Sequence, residues 1–203
     1  MIRVGLPKGR FLGESQRLCS ALGVDIEPGV LRYATAVDGV PVAIYLMKSP
    51  DVARMLKEHR IDLGLTGDEW LMEAGVRREF WCFDTGSYAA SVCLLMADGD
   101  LRSVRMVRPV VTPYPNLTRA LLRDVAPRFH VVAVAGSSEG LVPDFGDACL
   151  DLVETGSSAA LNGLTVRETF GQVSSRLARS AMAPAVVVEP VIELLAAAVV
   201  RVP

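Results

Sequence analysis

Lysine and histidine are scarce in this chain, and charge of either sign is not in excess. The 203 residues hold only three lysines, Lys8, Lys48 and Lys57, and two histidines, His59 and His130. Two histidines exclude a histidine-rich metal centre. The formal net charge is −2, so no global attraction to nucleic acid is expected and any phosphate recognition must be local. Cys19, Cys82, Cys93 and Cys149 show no metal-ligand spacing and each stands in an apolar stretch. That reads as reduced core thiols of a cytosolic protein. The most apolar tail, residues 185 to 200, is interrupted by Glu189, Pro190 and Glu193, which excludes it as a membrane span. The opening MIRVGLP is a strand at once, not a charged segment followed by an apolar run. No signal peptide is therefore expected, and the expected location is the cytoplasm.

What is present is a globular balance, with 51% apolar and 22% charged residues on a chain long enough to bury a core. Met1 to Leu6 alternates as a buried strand, and Pro7-Lys8-Gly9-Arg10 breaks it. A helix follows to about Leu22, with Leu12, Ser15, Cys19 and Leu22 on one face and Gly23 as its stop. Residues 40 to 47 read as a strand, 50 to 59 as a helix entered through Ser49-Pro50, and 61 to 66 as a third strand. Gly67-Asp68 then opens a short helix to Glu73. This rhythm predicts a parallel sheet in an α/β lobe. A second set of elements begins near Ala89, with strands over 89–96, 106–112, 130–135 and 148–153. Helices are expected from Leu117 to about Val125 and, briefly, before Asn162-Gly163. The sequence after Gln172 ends in one long apolar helix. The expectation is two α/β lobes, with the chain crossing between them near residue 88 and returning near residue 170.

Three segments carry possible chemistry. In Asp151-Leu-Val-Glu154-Thr155-Gly156-Ser157-Ser158 a strand delivers acids to its carboxyl end and turns straight into a helix. Free backbone N–H groups and hydroxyls there suit a phosphate monoester, and the carboxylates suit ribose hydroxyls or a magnesium ion carrying pyrophosphate. An ordinary Ser/Thr helix cap is the competing reading. Pro7-Lys8-Gly9-Arg10 sets two cations beside a helix N-terminus that by itself prefers acids. Either an anion sits between them or the turn is simply solvated. Ile61-Asp62-Leu63-Gly64-Leu65-Thr66-Gly67-Asp68 ends a strand where open α/β sheets bind ligands. Asp68 there is either a ligand contact or a helix N-cap.

Together these runs, with Tyr114-Pro115-Asn116-Leu117-Thr118-Arg119, Gly146-Asp147-Ala148, Asn162-Gly163-Leu164 and Ser174-Ser175-Arg176-Leu177, resemble ATP phosphoribosyltransferase of histidine biosynthesis. The resemblance spans essentially the whole chain, and a chain stopping near residue 203 resembles the short form. It implies a two-lobe fold like a type II periplasmic binding protein, with the active site in the inter-lobe cleft. Residues 1–88 plus 172–203 would form the nucleotide lobe, and residues 89–171 the lobe carrying the donor loop. Lys8, Gly9, Arg10, Arg32, Lys48 and Asp68 would face ATP, and Asp151, Glu154, Thr155, Gly156, Ser157 and Ser158 phosphoribosyl pyrophosphate. Lys8, Arg10, Arg32 and Asp151 would be catalytic, with Mg2+ carried by the pyrophosphate. A homodimer and a regulatory subunit resembling histidyl-tRNA synthetase are further implications, with no nucleic acid and no membrane partner.

Three departures from the family pattern stand out: Lys48 and Pro113 where the family favours Arg and Lys, and Tyr88-Ala-Ala-Ser91 where a basic residue is usual. They fall on the expected nucleotide side, so the donor is better supported than the acceptor. A diverged paralogue in specialised nucleoside biosynthesis using ATP or another purine nucleotide, or a non-catalytic two-lobe sensor or silent subunit, are the competing classes.

Overall fold

The computed structural model describes residues 1–97, 109–124 and 129–200. It divides the chain into two units, Met1–Tyr88 with Ser174–Pro203, and Ala89–Val173.

The first unit is built on alternating apolar strands. β1 (Ile2–Pro7) lies parallel to both β3 (Val40–Met47) and β4 (Leu63–Gly67). β2 (Arg32–Val37) is antiparallel to β3, and β9 (Thr165–Arg179) is antiparallel to β4, giving the order β2-β3-β1-β4-β9. The strand period of two sends Ile2, Val4 and Leu6 to one face. There they meet Leu18 and Cys19 of α1 (Leu12–Ala21) and Val188, Val191 and Leu195 of α6 (Ala185–Val200). The opposite face is covered by α2 (Ser49–Lys57) and α3 (Asp68–Ala74), through Val52, Ala53, Leu56 and Leu71. Contact on that side is close because the strands carry glycine. A Cβ at Gly64 would stand 2.6 Å from Val52 Cγ1 and 2.9 Å from Leu56 Cδ1, and one at Gly5 would stand 2.6 Å from Ile61 Cδ1. At the amino ends of these strands Arg3 forms a two-pronged pair with Asp62, at 3.0 Å from both Nε and Nη2.

The second unit contains the later part of β5 (Trp81–Met96), then β8 (Ala148–Val153), β6 (Pro109–Thr112) and β7 (His130–Ala133), in that order. β5 and β8 are antiparallel with Cys93 opposite Asp151, while β6 is parallel to β7 and β8. Its core joins Cys93, Leu95, Val111 and Cys149 to Ala159 of α5 (Ser157–Leu161). Thr112 pins α4 (Pro115–Leu122) to the sheet. Its hydroxyl donates to Leu150 O at 2.8 Å and receives Tyr114 N–H at 3.0 Å and the Thr118 hydroxyl at 3.1 Å.

Two strands were not foreseen. β2 has every second residue exposed and no apolar run, so periodicity alone did not mark it. β9 occupies Thr165–Arg179, and Ser174-Ser175-Arg176-Leu177 therefore lies in a strand that precedes α6. Its first half is polar and largely exposed, which hides a strand from pattern reading. Met106–Arg108 and Val125, which the sequence reading includes in a strand and a helix, lie outside the described residues.

The glycine contacts give a paired prediction. Gly64→Ala should lower stability by about 1–3 kcal/mol, because Val52 and Leu56 must give way. Gly13→Ala, where an added Cβ meets nothing within 4 Å, should be neutral or stabilising by up to about 1 kcal/mol. Urea unfolding midpoints of the two variants check both signs.

Candidate active site

In the first unit the parallel strands deliver their following residues to one edge of the sheet. β1 ends into Lys8, β3 into Lys48 and β4 into Asp68. The Lys8 amide donates to Met47 O at 2.8 Å, which holds the first two ends together. Because β2 and β9 run antiparallel to their neighbours, the start of β2 and the part of β9 that enters this unit reach the same edge. Arg32 lies opposite Tyr45, and Ser175 opposite Gly67. This edge therefore gathers Lys8, Gly9, Arg10, Arg32, Lys48 and Asp68 from four separate segments of the sequence.

Each side chain has a definite setting. Gly9 adopts φ +73 and turns the chain, a conformation that costs a residue with a Cβ. The turn is locked from below by the buried Ser15 hydroxyl, 2.7 Å from Pro7 O. Arg10 donates to the Tyr88 hydroxyl at 2.7 Å and lies 5.3 Å from that ring's centroid, while Phe11 meets the same ring edge-on at 5.2 Å. Arg32 lies 5.9 Å over the Tyr45 ring. Lys8, Arg10, Arg32 and Lys48 are all exposed. Lys48 O accepts the first amides of α2, from Asp51 at 2.9 Å and Val52 at 3.1 Å, while its ammonium stays at the surface.

For Asp68 the structure decides against the cap. Its carboxylate does not cap α3. Instead it takes Arg176 Nε at 2.5 Å and Nη2 at 3.1 Å, and the Ser174 amide at 3.2 Å. Arg176 Nη2 also reaches Asp84 at 3.2 Å, and its guanidinium lies 4.9 Å over Trp81. The hydrogen bond that Arg176 donates to Asp68 is the main reason the Arg176 pKa is raised. An arginine fork saturates a carboxylate well, so Asp68 is already engaged across the sheet. The next residue, Glu69, was not singled out from sequence. It is 2% exposed, its Oε2 has no hydrogen-bond partner, and a Cβ at Gly67 would stand 2.2 Å from its carboxylate oxygens. Burial pushes its pKa up to about 7, with nearby Asp68 adding to the rise, while its own backbone N–H and Arg10 oppose it.

In the second unit β8 presents Asp151. Ser138 donates to Asp151 Oδ2 from its amide at 3.1 Å and its hydroxyl at 2.7 Å, and the Leu152 amide reaches Oδ1 at 2.8 Å. The loop then turns at Gly156 with φ +78, again a position suited to glycine. Thr155 and Ser157 share a 2.9 Å hydroxyl contact. Ser158 donates to Glu139, which is itself 6% exposed. Glu154, Thr155, Ser157 and Ser158 face solvent. α5 has only five residues, so its dipole is small and an anion here must be held by loop amides and hydroxyls. Ser138 and Glu139 brace this loop. Sequence reasoning did not single out Ser138 or Glu139, and the run Gly136-Ser137-Ser138 carries no signature of that role.

Among the described residues no group of three or more His, Cys, Asp or Glu side chains is assembled for a metal. The donor set near Asp151 is a carboxylate already accepting hydrogen bonds, with exposed Glu154 beside it. That suits an ion arriving on a phosphate better than a resident ion in a protein cage. Burial pushes the Cys19 and Cys82 thiols up to about 11 and Cys149 up to about 12, away from the thiolate form.

The chain matches the HisG family model, described as ATP phosphoribosyltransferase, over residues 48–198. An ATP phosphoribosyltransferase of Desulforudis audaxviator is 31% identical over 183 residues, covering 87% of this chain and 63% of that protein. One from Geobacillus is 31% identical over 185 residues and covers 87% of each. One from Rhodopirellula baltica is 28% identical, and this chain covers 60% of it. The chain thus spans about three-fifths of the length of two of these relatives. Among solved structures, the ATP phosphoribosyl transferase (HisG:HisZ) complex from Thermotoga maritima superposes with a TM-score of 0.82 at 18% identity, covering 100% of both chains. The alkanesulfonate-binding protein SsuA from Xanthomonas axonopodis gives 0.58 at 14% identity, covering 98% of this chain and 71% of that one. The fold is therefore a mixed α/β fold shared with two-lobe binding proteins.

Glu69 supplies a pH prediction. Its pKa is about 7 when folded against 4.5 as the ordinary value, so between those values the folded state holds the extra proton. Its contribution is complete below the lower value and is lost as pH rises through the upper one. Relative to Glu69→Gln, the wild type should lose up to roughly 3 kcal/mol between about pH 5 and pH 8. Denaturant midpoints across that range would show parallel curves for the two proteins if the idea is wrong.

Proposed function

The chain belongs to the ATP phosphoribosyltransferase family, and from that premise we propose that it transfers the phosphoribosyl group of phosphoribosyl pyrophosphate to N1 of ATP. The bond from adenine N1 to the anomeric carbon forms as the bond from that carbon to the pyrophosphate oxygen breaks. The electron pair leaves on pyrophosphate, and the product is N1-phosphoribosyl-ATP.

The observation that carries this reading is the braced loop from Asp151 to Ser158. Its left-handed glycine, exposed hydroxyls and amides form a surface for a phosphate monoester. We assign the 5-phosphate to Thr155, Gly156, Ser157 and Ser158, and the ribose hydroxyls to Asp151 and Glu154. In the first unit we assign ATP and the departing pyrophosphate to Lys8, Gly9, Arg10, Arg32 and Lys48. Asp68 enters this assignment as the anchor of Arg176, which limits it to secondary contact with the nucleotide. Magnesium belongs to the substrate, carried on the pyrophosphate, where it offsets charge on the leaving oxygens.

N1 of adenine is a neutral nucleophile at pH 7, so the chain's task is alignment and charge neutralisation. Four exposed cations at one sheet edge serve the second task without proton transfer. Lysine at position 48 supplies a point charge without a planar fork, which allows it to follow a moving phosphate but not to fix it in plane. A regulatory subunit is part of the proposal, since the fold neighbour from Thermotoga maritima is a HisG:HisZ complex. So are a homodimer, a cytoplasmic location and a place in histidine biosynthesis. No helix among the described residues is long and apolar enough to cross a membrane.

The test is an ultraviolet difference assay with magnesium, ATP, phosphoribosyl pyrophosphate and pyrophosphatase, run with and without a candidate regulatory subunit. Asp151→Ala and Lys8→Ala should each lower kcat/KM by roughly 10²-fold or more, the scale of losing a transition-state contact. Donor binding without product would move the acceptor assignment to another purine nucleotide. Failure to bind either substrate would end the enzyme reading.

A further inference from the structure

A cavity of about 110 Å³ in the first unit lies among α1, residues 85 to 87 of β5 and the end of α6. None of its lining residues takes part in the reaction proposed above. One side is polar, with Glu14, Arg17, Thr85 and Ser87, and the other is apolar, with Leu18, Ala198 and Val199.

Glu14 is the unusual member. It is 5% exposed, and its Oε2 is buried with no hydrogen-bond partner. Its Oε1 receives the Ser175 hydroxyl at a long 3.4 Å. Among the described residues no cation pairs with it, and Arg17 lines the cavity one helical turn away without closing that gap. A buried carboxylate oxygen with neither donor nor counter-charge is costly, so the site calls for a donor that also carries positive charge. Acceptors for further N–H groups stand beside it. Ser87 Oγ lies 3.0 Å from Ser175 Oγ and 3.2 Å from Thr85 Oγ1, and Thr85 and Ser175 are themselves hydrogen-bonded.

The geometry points to a binding site for a small organic ammonium ion in this cavity. Its N–H groups meet Glu14 Oε2 and the Ser87 hydroxyl, and its carbon body packs on Leu18, Ala198 and Val199. At about 110 Å³ the cavity has room for a small organic ion of the size of propylammonium or alanine. A free amine and a small amino acid share this chemistry. Only the amino acid adds a carboxylate for Arg17.

Calorimetric titration of the full chain tests the site with n-propylammonium, L-alanine and tetramethylammonium, the last having charge but no N–H. Saturable binding is expected for n-propylammonium and none for tetramethylammonium. Glu14→Gln should weaken the binding about tenfold or more, as loss of a charge-assisted hydrogen bond does. Ala198→Phe fills the cavity from its apolar side and should abolish it. Should Glu14→Gln fail to fold, Ala198→Phe and the tetramethylammonium comparison still decide. Tighter binding of L-alanine, lost in Arg17→Ala, would make the ligand an amino acid; equal binding would make it an amine. No saturable binding of either probe to the wild type would overturn the proposal and leave a water-filled cavity. Binding unchanged in Ala198→Phe would overturn it too.

Discussion

Arg176 ties together three strands at the edge of the first unit's sheet. Standing on β9, it holds Asp68 after β4 with a two-pronged contact, reaches Asp84 on β5, and lies over Trp81 at the start of β5. β5 and β9 are the strands by which the chain leaves this unit and re-enters it. The side-chain exposures of Arg176 and Asp68 are 20% and 9%, so neither charge has much water to fall back on. Removing one partner of such a pair leaves the other buried and uncompensated, which costs more than the pair's net contribution when intact. Both strand positions and the settings of Asp68 and Ser174 depend on this one guanidinium.

The same clamp decides which charges the edge shows. Acids are plentiful there, yet Asp68 and Asp84 are bound to Arg176, and Glu69 is buried with its pKa raised. The cations are disposed the other way: Lys8, Arg10, Arg32 and Lys48 are exposed. A chain with a formal charge of −2 thus presents a locally positive edge by hiding or pairing its acids. Local arrangement, and not composition, sets the field that an anion meets.

Much of this was legible because the relevant signals are local. β1, β3 and β4 announce themselves by apolar alternation, and the residues after them must lie at their carboxyl ends once the strands are parallel. Gly156 and the hydroxyls around it likewise belong to one short turn. What stayed hidden was long-range. Arg176 and Asp68 are 108 residues apart, and Ser174 and Asp84 are 90 apart. No spacing rule links such pairs, because their meeting is a property of strand order. Asp68 shows the consequence: its sequence context at a strand end suggests a cap, and topology supplies a guanidinium in place of that cap. Ser138 and Glu139 were missed for the same reason, since only the folded second unit puts them beside Asp151 and Ser158.

The placement of the histidines bears on the chemistry these edges support. His59 follows α2 and precedes β4, so it stands at the amino ends of the parallel strands, where its Nδ1 meets the Ser180 hydroxyl at 2.8 Å. His130 begins β7 and lies opposite Pro109, at the amino end of β6. Both are therefore at the end of their sheet opposite the one that carries the candidate loops. A reaction that needed imidazole to shuttle a proton would put one at the carboxyl edge. Displacement by a neutral ring nitrogen makes no such demand. It asks for a firmly held donor and for cations where pyrophosphate gathers charge, and those two demands match the two kinds of edge this chain builds: hydroxyls and amides braced by Ser138 and Glu139 in one unit, and exposed lysine and arginine in the other.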